Sequence, residues 1–108
     1  MEGFWTVQFA GVQGMGAGVI ALVGGALFGG DSAFLYEGTY MQQANTLTAQ
    51  VHVSRYAAGV GNVMGRDTFD LDLTGTIEGS AGKLSGTVPG TPMRFSASIA
   101  KRGDLPKV

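Results

Sequence analysis

His52 is the only histidine in the chain, which excludes a two-histidine metal site and leaves one imidazole as a candidate general base. Gln50 and Ser54 share its side of an alternating segment and offer nothing that would activate it, so it reads as a plain surface histidine. Asp70 and Asp72 stand two positions apart. On a strand that spacing sets side chains of one face about 7 Å apart, a separation that paired glycosidase carboxylates also use. General acid catalysis needs one carboxyl raised by burial, yet the alternation with Phe69, Leu71 and Leu73 places both acids on a solvated face. Gly14, Gly16 and Gly18 suggest a phosphate-cradling loop, but the dinucleotide fingerprint requires a helix directly after it and none can be read there. Asp31, following Gly29 and Gly30, reads as a turn residue, and Arg55 with Tyr56 as local packing or a protein-contact edge. With no cysteine there is no thiol catalysis, thiolate zinc site or disulfide. The expectation is a protein that is not an enzyme and carries no cofactor and no metal.

The elements that hold these residues are short strands. Leu47, Ala49, Val51 and Val53 alternate with Thr46, Thr48, Gln50, His52 and Ser54, a period of two that fits a half-buried strand and no helix. Phe69, Leu71 and Leu73 repeat the pattern against Asp70, Asp72 and Thr74, as do Met93, Phe95, Ala97 and Ile99 against Arg94, Ser96 and Ser98. Trp5, Val7 and Phe9 share a face, as do Phe34, Tyr36, Gly38 and Tyr40, and Leu84, Gly86 and Val88. Turn signals fall at Gly24-Gly25, Gly30-Asp31, Gln43-Ala44-Asn45, Gly79 to Gly82 and Pro89-Gly90. The triplets Gly38-Thr39-Tyr40, Gly75-Thr76-Ile77 and Gly86-Thr87-Val88 place a glycine inside a strand, where it permits a bend or a close backbone approach. Ala57 to Arg66 breaks the alternation and reads as a loop or a single helical turn, and Lys101 to Val108 as a fraying end.

At 108 residues the chain is expected to form one domain, 1–108. About eight strands with hairpin-length connections leave no room for the crossover helices of a parallel sheet. The fold expected is all-β: an antiparallel up-and-down eight-stranded barrel, lipocalin-like, with at most one short helical turn. A barrel of that size fills its lumen or keeps room for one small ligand, and Trp5, Tyr36, Tyr40, Phe69 and Phe95 are the candidates to line such a cavity.

A net charge of -1 without any basic cluster argues against direct contact with nucleic acid. Gly3 to Gly30 contains no charged residue, which raises the question of a membrane span. Gly11, Gly14, Gly16, Gly18, Gly24 and Gly25 interrupt that run, and each would cost a helix about 1 kcal/mol relative to alanine. Glu2 stands where a secretory leader needs positive charge. No membrane association is expected, and a cytoplasmic location follows. Within the uncharged run, Val19, Ala21 and Val23 face one way and Ile20 and Leu22 the other, so a strand here needs apolar cover on both sides. A monomer would expose Ile20 and Leu22. The segment Val19 to Val23 is therefore the candidate interface of a homodimer.

Gly3-Phe4-Trp5-Thr6-Val7-Gln8-Phe9, Gly16-Ala17-Gly18-Val19-Ile20, Leu27-Phe28-Gly29-Gly30-Asp31 with Tyr36-Glu37-Gly38, and Val51-His52-Val53-Ser54-Arg55-Tyr56 together resemble the GrlR-like family of negative regulators of type III secretion gene expression, over roughly residues 3 to 75. The resemblance implies a lipocalin-like barrel that dimerises in the bacterial cytoplasm and holds a transcriptional activator by protein contact, without chemistry and without touching DNA. The family's activator-binding member carries a Glu-Asp-Glu-Asp run after the Tyr-x-Gly strand, where this chain has Met41-Gln42-Gln43-Ala44-Asn45. An acidic run suits a basic partner, so that contact does not carry over unchanged. Gln42, Gln43, Ala44 and Asn45 remain the candidate partner-binding residues. The alternative is a small hydrophobic-ligand carrier, lipocalin-like or fatty-acid-binding-like, with a small apolar molecule in the lumen.

Overall fold

The computed structural model describes residues 1–11, 14–58 and 67–107. Eight strands follow one another: β1 (Gly3–Gly11), β2 (Gly14–Val23), β3 (Ala26–Gly30), β4 (Phe34–Gln43), β5 (Thr46–Arg55), β6 (Thr68–Glu78), β7 (Ala81–Thr87) and β8 (Arg94–Gly103). Each pairs antiparallel with the next, and β8 pairs with β1, which closes the barrel. The eight-stranded, all-β architecture read from the alternation is the one the chain adopts. Of the segment expected to form a loop or helical turn, residues 59–66 lie outside the described residues. The chain end is better held than its polarity suggests, because Lys101 pairs with Trp5 and Gly103 with Phe4 across the β1–β8 ladder.

The barrel interior is the core. In β5, Leu47, Ala49, Val51 and Val53 are buried while Thr46, Thr48, Gln50 and His52 are exposed, and β6 repeats this with Phe69, Leu71, Leu73 and Ile77 inward. Each of these Leu, Val, Ile and Phe side chains contributes about 1.5–3 kcal/mol on burial, so one alternating strand settles its own facing. Among the described residues no polar or charged residue is buried.

Turns and close approaches set the curvature. Gly24 and Gly25 join β2 to β3 with φ of 56° and 91°, the pair of positive angles that a tight hairpin with native twist requires. In β6, a methyl group on Gly75 would overlap the backbone carbonyl oxygen of Lys83 on β7, and the triplet glycines of β4 and β7 approach their neighbours in the same way. These are the backbone approaches the Gly-Thr-apolar triplets suggested. One end of the barrel, where β1 starts, is plugged by Trp5, which is 1 % exposed and donates its indole N–H to the carbonyl of Met1 at 3.0 Å. The connection between β3 and β4 lies at the other end.

Candidate functional site

At the β3–β4 end, inward side chains from β1, β4 and β8 meet. The Phe9 ring stacks on Phe95 with centroids 5.7 Å apart and meets Tyr36 edge-on at 6.3 Å. Beneath them lies a cavity of about 70 Å³, walled by Val7, Ile20, Val51, Leu71, Leu84, Ala97 and further apolar side chains, with Asp31 the one charged residue at its edge. Of the expected lining residues, Tyr36, Phe69 and Phe95 are in the wall. Trp5 and Tyr40 are not. Trp5 is taken up by the plug at the opposite end, and Tyr40, half-buried near the β4–β5 turn, packs on the margin of the core.

Asp31 does more than make a turn. Its Oδ1 accepts the backbone N–H groups of Ala33 and Phe34, each at 2.9 Å, which is the local bonding that makes aspartate a turn residue. Its Oδ2 accepts the Tyr36 hydroxyl, and its backbone carbonyl accepts the Tyr56 hydroxyl at 2.6 Å. Tyr56 also donates its backbone N–H to the carbonyl of Ala33 at 2.8 Å. Burial, and then the Asp31 carboxylate that accepts its hydrogen bond, push the Tyr36 hydroxyl far above the ordinary phenol range. Tyr36 therefore keeps its proton and holds it toward Asp31. This network ties the β3–β4 loop to β4 and to the end of β5.

The outer face holds the second feature. Cross-strand register lines up Phe4, Ala21, Phe28, Glu37, His52 and Asp70 in one row across β1 to β6, and Thr6, Val19, Gly30 and Leu35 in the row beside it. Phe4, Val19, Phe28 and Leu35 are 43 %, 57 %, 49 % and 42 % exposed, so the outer surface of β1 to β4 carries an apolar patch bounded by Glu37 and His52. The expectation for β2 is corrected here. Ile20 and Leu22 are 7 % and 1 % exposed and belong to the lumen, whereas Val19, Ala21 and Val23 face outward. The reason is pairing: Ile20 stands opposite Trp5, and directly opposed residues share a face.

The remaining candidates are separate from both features or only border them. His52 does have a partner, its Nδ1 lying 2.7 Å from Oδ1 of Asp70 directly across the β5–β6 ladder. The His52 and Asp70 side chains are 49 % and 69 % exposed, so nothing excludes water and the pair contributes about 0–1 kcal/mol. Among the described residues no group of three or more His, Asp or Glu side chains is arranged to hold a metal. Gly14, Gly16 and Gly18 lie in β2, where no helix follows to receive a phosphate. Arg55 pairs with Asp67 at 2.7 Å and covers the Phe34 ring at 4.6 Å, so it is part of the packing around the β3–β4 end. Gln42, Gln43, Ala44 and Asn45 are all exposed at the β4–β5 turn, with the Gln42 amide donating to the Ala44 carbonyl at 3.1 Å. No helix among the described residues is long and apolar enough to cross a membrane. The outward patch and the Asp31–Tyr36 bond are both invisible to composition; the patch becomes readable once the β1–β2 register is known. Comparison with protein-family models and with curated proteins finds no match to this chain.

Proposed function

We propose that the chain is a non-enzymatic regulatory barrel of the bacterial cytoplasm that works by protein–protein contact: a homodimer that holds a transcriptional activator, as the resemblance to the GrlR-like negative regulators of type III secretion implies. The observation that carries this reading is the outward patch of Phe4, Val19, Phe28 and Leu35. Large apolar side chains gathered side by side on the outer face of β1 to β4 gain free energy when another surface covers them, and a second copy is the commonest cover. The exposed Gln42 to Asn45 turn stays available on such a dimer for the activator, which its uncharged amides would meet by hydrogen bonding rather than by charge. Sedimentation equilibrium of the chain and of Phe28→Asp tests the dimer, with the variant expected to be monomeric. Target transcripts in a host expressing the chain, set against a host expressing a variant with Gln42, Gln43 and Asn45 changed to alanine, test the regulation. A monomeric parent chain, or equal transcript levels in the two hosts, would overturn the corresponding half of the reading.

A second reading, a carrier for a small hydrophobic ligand, draws on the cavity of about 70 Å³ beneath Phe9 and Phe95.

A further inference from the structure

Resting on that second reading, we infer that the lumen takes one small, wholly apolar and uncharged molecule, a dissolved gas or a hydrocarbon of a few carbons, and rejects fatty acids and other amphiphiles. Size is the first argument. Pockets that enclose drug-sized ligands run to about 300–1,000 Å³, whereas the cavity here is about 70 Å³. An acyl chain long enough to need a carrier would have to displace Phe9, Phe95 or the β3–β4 loop. Chemistry is the second. Val7, Ile20, Val51, Leu71, Leu84 and Ala97 offer no hydrogen bond. The polar groups at the edge are already committed to one another: Asp31 accepts from Ala33, Phe34 and Tyr36. A ligand carboxylate would meet the Asp31 carboxylate, an anion, where it needs a cation or a donor. A polar head placed in this wall would be desolvated without compensation. Cavities walled by Leu, Ile and Phe side chains accept apolar atoms such as xenon.

The test is methyl NMR of the intact chain with xenon, with propane and with dodecanoate, repeated on Ala97→Leu, which grows a side chain into the cavity. The expected result is saturable shifts of the Val51 and Leu71 methyls with xenon and propane, none with dodecanoate, and loss of both in Ala97→Leu with the strand circular dichroism retained. Should that variant not fold, Ala97→Val makes the same comparison with less added volume. Stoichiometric dodecanoate binding at these methyls would overturn the size and charge class while leaving a ligand-carrying lumen in place. Absence of saturable shifts with every probe would overturn the carrier reading as well, and unchanged xenon shifts in the filled variant would overturn the location.

Discussion

The Tyr36 hydroxyl donates to the Asp31 carboxylate across the β3–β4 connection, so the residue that turns the chain also fastens the strand that follows. Removing the carboxylate leaves the N–H groups of Ala33 and Phe34 without their acceptor as well as Tyr36. Asp31→Ala should therefore cost about 3 kcal/mol, and Tyr36→Phe about 1–2 kcal/mol. If the two residues act on one bond, the double variant costs less than the sum of the singles by about 1 kcal/mol. Urea unfolding of the four proteins measures this. Strict additivity would show that the hydroxyl contributes independently of Asp31.

The same bond gives the barrel an alkaline limit. Burial and the neighbouring carboxylate raise the Tyr36 hydroxyl above its ordinary value of 10.0, so the folded protein holds a proton that the unfolded chain releases. Stability from this group is complete below about pH 10 and declines as pH rises beyond it, by at most about 1.4 kcal/mol per pH unit. Denaturant midpoints measured from neutral pH upward should fall along that branch, and Tyr36→Phe should fall less steeply. In a spectrophotometric titration the parent chain should show one of its three phenols ionising only as the fold is lost, and the variant should lack that step.

The alternation in β5, β6 and β8 was enough to assign facing, because each strand has one apolar and one polar side, and one wrong register would bury Asp70 and Asp72. β2 gave no such answer. Val19, Ala21 and Val23 are as apolar as Ile20 and Leu22, and residues 11 to 18 alternate glycines so freely that the turn, and with it the register against Trp5, could lie at several positions. Pairing with Trp5, a long-range fact, decides it. His52 and Asp70 are hidden for a related reason: they meet because β5 and β6 align across residues 56–67, whose length says nothing about register. Asp31 and Tyr36 are five residues apart, a separation with no periodic meaning on a strand, and only the path of the β3–β4 loop brings them together.

Ile20 lines the cavity and Val19, its neighbour in sequence, stands on the outer patch beside Phe28 and Leu35. Ile20→Asp should unfold the barrel, since an unpaired carboxylate in the lumen costs more than the about 5–15 kcal/mol of a small domain can readily spare. Val19→Asp should leave the circular dichroism unchanged and weaken self-association in sedimentation. A folded Ile20→Asp protein would take Ile20 out of the lumen, and a Val19→Asp protein that associates like the parent would place the interface elsewhere.

Ala44 is the one non-glycine residue with positive φ among the described residues, at 54°, in the two-residue turn between β4 and β5. An L-residue with a Cβ pays about 1–2 kcal/mol for the left-handed region, and glycine does not. Glycine also widens the unfolded ensemble, which returns about 0.4–1 kcal/mol of that gain. Ala44→Gly should then stabilise the barrel by about 0.5–1 kcal/mol, read as a higher urea midpoint with an unchanged slope. The Gln42 amide that bonds the Ala44 carbonyl is untouched by the change, as are the side chains of Gln43 and Asn45. A lower midpoint would mean that the alanine methyl makes a contact worth more than the strain it carries, and would assign Ala44 a packing role at the very turn proposed to meet the activator.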